Sequence, residues 1–491
     1  MKRSAMVWSG LGTLFVLAAG GFAGCGSFAA KECDNGNCDT TDGSAAGDGS
    51  TSEGGPIGDG SVTPMEGGNP VDAPAGCVLT KDPGESPPCI DEGVGVFVDA
   101  ASSAGTPDGT RKAPYKTIGD AVASNKRPRV YVCAGSYAEN VKLDSSHAVS
   151  LYGGFACGAW TYAASGNAVK VVPTSGYALN VDTVTSALVI ADMGFDAPAG
   201  TADSVNSIAA FVNASTNVTL KRATLKGGAG YQGKDQVAGA SGALQSSTPT
   251  ANTLKGNDAD PMTNNGGVAQ SCTCSNGGTS KGGAGANAGF DGKDGTTAQA
   301  VPKPTANYIG AGQTLALCVA KDYSKSNGSD ASDQTPAAPP TVAGKLDASG
   351  WTAAGGVDGA DGAAGQGGGG GGGAGGGGGG GGCGGCGGSK GLGGTGGGAS
   401  VGLVSLNSTV SVVSSVVGAA AGGRGGNGGA GGPAQATIGT GGLRSGAACL
   451  GGDGGHGGAG GAGSGGAGGI GAGIMYKGTK PSYGTDTSVT S

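Results

Sequence analysis

The stretch FVNASTNVTLKRATL, residues 211–225, places Phe211, Val218, Leu220 and Leu225 at intervals of 7, 2 and 5 residues. The same intervals recur in Val181, Leu188, Ile190 and Phe195, and again in Leu403, Val410, Val412 and Val417. The two-residue step has the period of a β-strand, so each set carries a short strand with both residues on one face. The flanking apolar residues then fall on further strands of the same unit. Such a unit buries little apolar surface alone. Its recurrence predicts a solenoid in which the three sets stack as successive rungs.

The segments after the three sets differ greatly in length. Phe195 to Phe211 is 16 residues, Leu225 to Leu403 is 178, and Val417 to the next apolar cluster, beginning at Ile470, is 53. Every insertion therefore leaves from the same corner of the unit, and loops gathered on one face of a solenoid are where partners usually bind. The insertions also hold the glycine, 114 of 491 residues, several times the average share of about 7%. Residues 361–400 contain 27 glycines in 40, and residues 421–473 are built of Gly-Gly-x steps. Period three matches an extended polyglycine II or PPII-type helix. Glycine loses more backbone entropy on ordering than any other residue, so such arrays are fixed only where neighbours satisfy their amides and carbonyls. The pattern favours partial ordering and leaves open whether the arrays stack.

Upstream of the repeats, Gly95–Asp99 (GVFVD) reads as a strand, followed by a GTPDGT turn at 105–110, APYKTI at 113–118 and a short helix over Ile118–Ala123. Strands at Arg129–Cys133 and Val149–Phe155 flank GSYAENV at 135–141. This order resembles the opening of right-handed parallel β-helix domains of the pectin-lyase-like superfamily. The resemblance covers residues 95–225, and 400–418 through the repeat spacing. It implies an all-β right-handed parallel β-helix whose helix caps the open end, with Ile118, Ala121 and Val122 on the first rung. It further implies that Cys133 and Cys157 staple neighbouring coils. The arrays at 421–473 are similar to those of PE-PGRS proteins, whose amino-terminal helical region has no counterpart here.

The first residues resemble a bacterial lipoprotein signal. Lys2 and Arg3 precede an apolar run, Ala5–Ala19, too short for a stable membrane span, and Phe22-Ala23-Gly24 leads to Cys25. Cys25 is then the lipidation site, and Gly26, in place of the aspartate that retains lipoproteins at the inner membrane, implies the outer membrane. Residues 26–76 hold nine acids and a single base, Lys31, among Gly, Ser, Thr and Pro. That composition reads as an extended acidic tether. Net charge is −7 for the whole chain and two units more negative without Lys2 and Arg3, which argues against nucleic acid as a partner.

Twelve cysteines besides Cys25 fit six bridges in an oxidising compartment. Proximity predicts Cys33 with Cys38, Cys77 with Cys89, Cys133 with Cys157, and Cys383 with Cys386. The partners of Cys272, Cys274, Cys318 and Cys449 are left open. The CGGC at 383–386 lies in polyglycine, not between a strand and a helix, which argues against redox or zinc chemistry.

Polysaccharide lyases and hydrolases on such folds need acids clustered on one strand face. Taken at equal offsets from Val181, Phe211 and Leu403, Asp182 aligns with Val212 and Val404, Asp192 with Arg222 and Ser414, and Asp196 with Lys226 and Gly418. No acidic column builds up, and Asp192 with Arg222 reads as an ion pair between rungs, weak if exposed. His147 and His456 lie far apart without ligand or triad spacing, and there is no nucleophile elbow, phosphate loop or recurrent calcium repeat.

The sequence thus divides into a signal (1–24), a tether (25–76), the first part of the β-helix (77–226), a glycine-rich insertion (227–400), a returning rung (401–418), a second array (419–469) and a last rung with tail (470–491). It predicts a lipid-anchored cell-envelope protein without cofactor or metal, structural or adhesive, its partners the membrane and a polysaccharide or other surface component. The alternative is a polysaccharide lyase or glycoside hydrolase on the same fold.

Overall fold

The computed structural model describes residues 73–491 apart from 167, 246–249, 258–265, 295, 298–309 and 317–325. Cys25, the Cys33–Cys38 pair, Cys318 and the signal lie outside the described residues.

The architecture is all-β, with one short α-helix packed against the sheets. Strand β1 (Gly95–Val98) precedes the helix α1 (Ile118–Ser124). A pass of three strands comes after it: β2 (Arg129–Cys133), β3 (Gly135–Tyr137) and β4 (Val141–Asp144). The next is β5 (Ser150–Phe155), β6 (Val169–Val171) and β7 (Leu179–Asp182), then β8 (Leu188–Ala191), β9 (Met193–Asp196) and β10 (Ser207–Asn213). The fourth pass opens with β11 (Val218–Lys221) and β12 (Thr224–Lys226). It is interrupted by two small antiparallel sheets, one of β13 (Ser271–Thr273), β14 (Thr279–Lys281) and β15 (Thr296–Thr297), the other the hairpin of β16 (Gly344–Asp347) and β17 (Gly350–Ala353). It closes with β18 (Ser400–Leu406). The fifth is β19 (Val410–Val413), β20 (Val416–Gly418) and β21 (Gly471–Lys477), and β22 (Ser482–Tyr483) and β23 (Ser488–Thr490) begin a sixth.

Each pass gives one strand to each of three parallel sheets, ordered β1-β2-β5-β8-β11-β19-β22, β3-β6-β9-β12-β20-β23 and β4-β7-β10-β18-β21. The repeat spacing is borne out in three of its four columns. Leu188, Val218 and Val410 are register partners, as are Ile190, Leu220 and Val412, and Phe195, Leu225 and Val417. All nine side chains point into one buried core, where period two puts them.

The first column is wrong by one residue. Val181 pairs with Val212, and Leu403 with Ala210, so Phe211 faces outward. There it packs with Val404, Met475 and Tyr177 beneath Leu346 and Trp351 of the β16–β17 hairpin. The cause is a turn that shortens: Asp182, Asn213 and Leu406 are partners, yet the next column starts six, five and four residues later. Because side chains alternate, a slip of one flips Phe211 to the other face. Left-handed residues bend the chain between strands and also stack, as Thr183, Ala214 and Asn407 at one turn and Asp192, Arg222 and Ser414 at another.

Helix α1 closes the β1 end of the core. Ile118, Ala121 and Val122 are buried with Val96, Val98, Val130 and Val132. Its N-terminus is held twice: Thr117 Oγ accepts from Asp120 N–H at 3.0 Å, and the Glu139 carboxylate accepts from Ile118 and Gly119 N–H at 2.8 Å each. Glu139 ends the GSYAE stretch, which gives that motif a local structural task. The insertions do leave from one corner, since β9–β10, β12–β18 and β20–β21 all cross between the same two sheets.

Leu220 sits fully buried between Ile190 and Val412. Leu220→Ala should lose about 2–5 kcal/mol of unfolding free energy, while its half-exposed neighbour should tolerate Thr219→Ala within about 0.5 kcal/mol. Denaturant titration of both variants checks the assignment of faces.

Candidate functional site

Asp192, the acid closest to a catalytic reading, is fully committed. Arg222 Nε and Nη2 donate to its two oxygens at 2.6 and 2.8 Å, and Tyr162 OH donates at 2.7 Å. The same guanidinium reaches Asp82 at 2.9 Å, which Lys221 also meets at 2.7 Å. The ion pair between passes is therefore present, but it is not the weak surface pair the sequence suggests: the Asp192 side chain is only 3% exposed. The Asp192 hydrogen bond, followed by Asp82, holds the Arg222 pKa above its ordinary value against the pull of burial. Burial first, and then the Asp192 carboxylate, push the Tyr162 phenol up to about 12. Both Asp192 oxygens are thus held by Arg222 and Tyr162.

The one-residue slip also redraws the acid alignment. Asp182 neighbours Asn213, which donates to it at 2.9 Å, and Asp144 on the other side. Asp144 accepts from His147 Nδ1 at 3.0 Å, so this histidine has a partner the spacing did not reveal. Asp196 aligns with Lys226 and Gly418 as read. Among the described residues, the His/Cys/Asp/Glu trio close enough to share an ion is Asp99, Cys133 and Cys157, and both sulfurs are spent in a disulfide.

Asp82 belongs to a strap formed by the residues before β1 and closed by the Cys77–Cys89 bridge. The strap lies over an aromatic cluster of Phe97, Tyr131, Tyr152, Phe155 and Trp160. Tyr131 OH donates to the Cys89 carbonyl, and Arg129 Nη2 donates to Leu79 and Lys81 carbonyls at 2.6 and 2.8 Å. Cys133–Cys157 forms as read and ties β2 to the segment after β5.

The larger feature is the glycine. The arrays are ordered, as extended arms 227–243, 326–338, 353–374, 376–399, 419–442 and 449–470. In the central arm Gly382, Gly385, Gly388 and Gly391 donate to Gly452, Gly455, Gly458 and Gly461 at 2.8–3.0 Å. Its carbonyls receive from both sides: Gly388 from Gly362, Gly391 from Gly359, Ser389 from Gly432 and Leu392 from Gly429, at 2.8–2.9 Å. Partners advance by three residues, the repeat of a polyglycine II helix, apart from one step of four between Gln435 and Gly439. The pairings sort the arms into two layers, 227–243, 376–399 and 353–374 against 419–442, 449–470 and 326–338. Parallel and antiparallel neighbours mix, and each main-chain ladder runs one way, donors on one arm and acceptors on the other, apart from Ala420 N–H, which donates back to Gly227 at the root of the 227–243 arm.

The arms extend the sheets without a break. Thr224 pairs with Val416 in β12–β20, and Gly227, Gly230 and Gly233 N–H then continue onto Gly418, Ala421 and Arg424 carbonyls. Gly397 and Ser400 N–H likewise lead from the arms into β18–β21. A Cβ on Gly391 would fall inside the Gly429 carbonyl, and one on Gly431 inside that of Gly460. The glycine hydrogen there points straight at a carbonyl oxygen, adding a weak Cα–H···O contact. Hence the rule of the repeat: in 421–432 the second glycine of each step is buried and the x residue, Ala421, Arg424, Asn427 or Ala430, is exposed.

Two layers leave outward-facing amides with no neighbouring arm, and short Asp and Asn side chains fill part of the gap. Asn327, Asp330 and Asp333 accept from Asp453, His456 and Ala459 N–H at 2.9, 2.6 and 2.7 Å. Asp361 and Asp358 do the same for Lys390 and Gly393, and Asp235 for Asn427, at 2.7–2.9 Å. Arg424 first, and then the Asn427 amide, bring the Asp235 carboxyl down to about 2. Sequence reasoning missed this ladder. Its signal was present in the three-residue spacing of Asn327, Asp330 and Asp333 and of Asp358 and Asp361.

The expected Cys383–Cys386 bridge does not form. Cys383 bonds Cys272 and Cys386 bonds Cys274, while Cys449 is also in a disulfide. In a chain with three residues per turn, Cys383 and Cys386 lie on the same side and about 9 Å apart, pointing away from each other's reach. Cys272 and Cys274, two apart on an extended strand, also share a face. A period-two pair is thereby riveted to a period-three pair.

Two measurements check these placements. Non-reducing peptide mapping should recover Cys272–Cys383 and Cys274–Cys386, and a Cys383–Cys386 loop peptide would contradict them. Burial alone would raise the Asp82 pKa, but Lys221 and Arg222 outweigh it and hold the carboxyl below its ordinary 3.8. Its contribution is present above pH 3.8 and lost as pH falls through the lowered value. Amide exchange of the strap should therefore accelerate below about pH 4, corrected for intrinsic rates, and Asp82→Asn should show the faster exchange already at neutral pH.

Comparison with protein-family models, curated proteins and solved structures finds no match for this chain.

Proposed function

We propose that this chain is a non-enzymatic lipoprotein of the bacterial cell envelope, anchored to the outer membrane through Cys25, whose three sheets wind as a right-handed parallel β-helix. Its task is structural or adhesive: the wound body serves as a base, and the glycine arms project a stiff slab from one corner toward a polysaccharide or another surface component. One observation carries this reading. The arms continue the register of the sheets outward in two bonded layers, so a 24-residue arm such as 376–399 spans roughly 70 Å at about 3.1 Å per residue. An extension of that length, made largely of backbone, suits reach and surface contact better than turnover. The commitment of Asp192 to Arg222 and Tyr162 supports the same side of the question.

Incubation of the purified protein with a panel of acidic polysaccharides should give retention without release of new reducing or unsaturated ends. Turnover that disappears in Asp192→Ala would overturn the non-enzymatic reading. Labelling with radioactive palmitate should mark the wild type and not Cys25→Ser, and equal labelling of both would remove the anchor.

A further inference from the structure

The 419–442 arm has three rows of backbone groups, and one of them is unused. Gly423, Gly426, Gly429 and Gly432 donate to the central arm and receive from Gly469, Gly466, Gly463 and Gly460. Ala421, Arg424 and Ala430 carbonyls receive from Gly230, Gly233 and Gly239, and Asn427 N–H is taken by Asp235. Gly422, Gly425, Gly428 and Gly431 remain. Among the described residues their amides have no acceptor, and the single donor to their carbonyls is Arg424 Nη1, 3.4 Å from Gly425 O. Several rows of the slab are closed by another arm or by an Asp or Asn side chain. Other outer rows are open among the described residues, as at Gln232 and Ala238, but this one is a continuous row of four glycines.

We propose that this row is a self-association surface and that its occupant is the same arm of a second copy of the chain. The repeat fixes the kind of partner. Donors three residues apart in a polyglycine II helix recur about every 9 Å, which matches another three-residue helix and not a β-strand, whose same-side groups recur about every 7 Å. A second copy supplies that repeat, and supplies it complete: the same four glycines carry both the free amides and the free carbonyls. Of the exposed x residues beside the row, Ala421 and Ala430 at its ends are small, while Arg424 and Asn427 stand between them and Arg424 has to leave the Gly425 carbonyl for a second arm to dock. The contact prolongs a lattice the molecule already contains, because the 227–243 and 419–442 arms pair in parallel across the same three-residue repeat.

The one-way ladders set the form of the assembly. An arm that gives its amide row to a second copy's carbonyls keeps its own carbonyl row for a third. The contact is heterologous and open-ended, so it builds laterally extended sheets rather than a closed dimer. This does not depend on the lipid anchor or on the envelope ligand proposed above.

The test uses the full chain carrying Cys25→Ser, so that acyl chains cannot drive association. Sedimentation velocity over a wide concentration range should show growth beyond dimers, with laterally ordered sheets in electron micrographs. The double variant Ala421→Arg/Ala430→Arg should stay monomeric with unchanged circular dichroism, whereas Ala240→Arg, on the other layer, should assemble like the parent. A parent that is monomeric throughout, or a double variant that assembles equally well, overturns the proposal. If the double variant misfolds, amide exchange decides: assembly of the parent should slow Gly425 and Gly428 about tenfold or more, and unchanged rates overturn it.

Discussion

The hydrogen bond between extended glycine segments, made once every three residues and in one direction only, is the constraint on which this molecule turns. It is weak singly, with a net worth of about 0.5–1.5 kcal/mol, and it joins residues that lose the most backbone entropy on ordering. There is almost no side-chain burial to help. The bonds hold because they are numerous and shared: the central 376–399 arm is ringed by neighbours, and its first half, 376–388, is buried along its whole length. The outer arms, which have fewer neighbours, are where Asn327, Asp330, Asp333, Asp358 and Asp361 appear. Side chains enter this part of the structure as substitutes for missing backbone.

The slab cannot start itself, and the stacked sheets start it. In β12–β20 and β18–β21 the register is fixed by buried residues such as Leu225 against Val417 and Leu403 against Ile474. Each outgoing or returning arm inherits that register at its root. At the other end, the bridges of Cys272 and Cys274 to Cys383 and Cys386 pin the small β13–β14 sheet to the central arm. An apolar core at the roots and covalent rivets along the arms therefore brace a region that buries few side chains of its own. This division of labour explains how a chain with so few aromatics is ordered over most of its described length.

How much of this was legible depends on which atoms carry the information. Positions such as Leu188, Val218 and Val410 were readable because burial selects side chains, and side chains are what a sequence records. Phe211 was misplaced because a turn that loses one residue per pass leaves the apolar spacing intact while changing the face. The Gly-Gly-x period announced a three-residue helix but not its neighbours, since a backbone ladder leaves no residue-specific trace. The acidic ladder did leave one, in the spacing of Asn327, Asp330 and Asp333. Cys383 and Cys386 are close in sequence without their sulfurs being close, because a period-three helix sets them apart along its axis. Asp192 and Arg222 were found as a pair, but Tyr162 and Asp82, which complete the cluster, come from distant stretches with no motif to announce them.

The register shared by sheets and slab has a consequence for how such a chain changes over generations. Arms 353–374 and 376–399 form a hairpin about the left-handed Gly375, with partners such as Gly371 and Gly379 nearest the bend. Adding or removing one Gly-Gly-x step on both sides of that bend leaves every remaining bond in phase, whereas a change of one or two residues throws the distal ladder out of step. Its reach is thus quantised in increments of about 9 Å. Repetitive DNA that slips by whole nine-base units would lengthen or shorten the projection without touching the base that holds it.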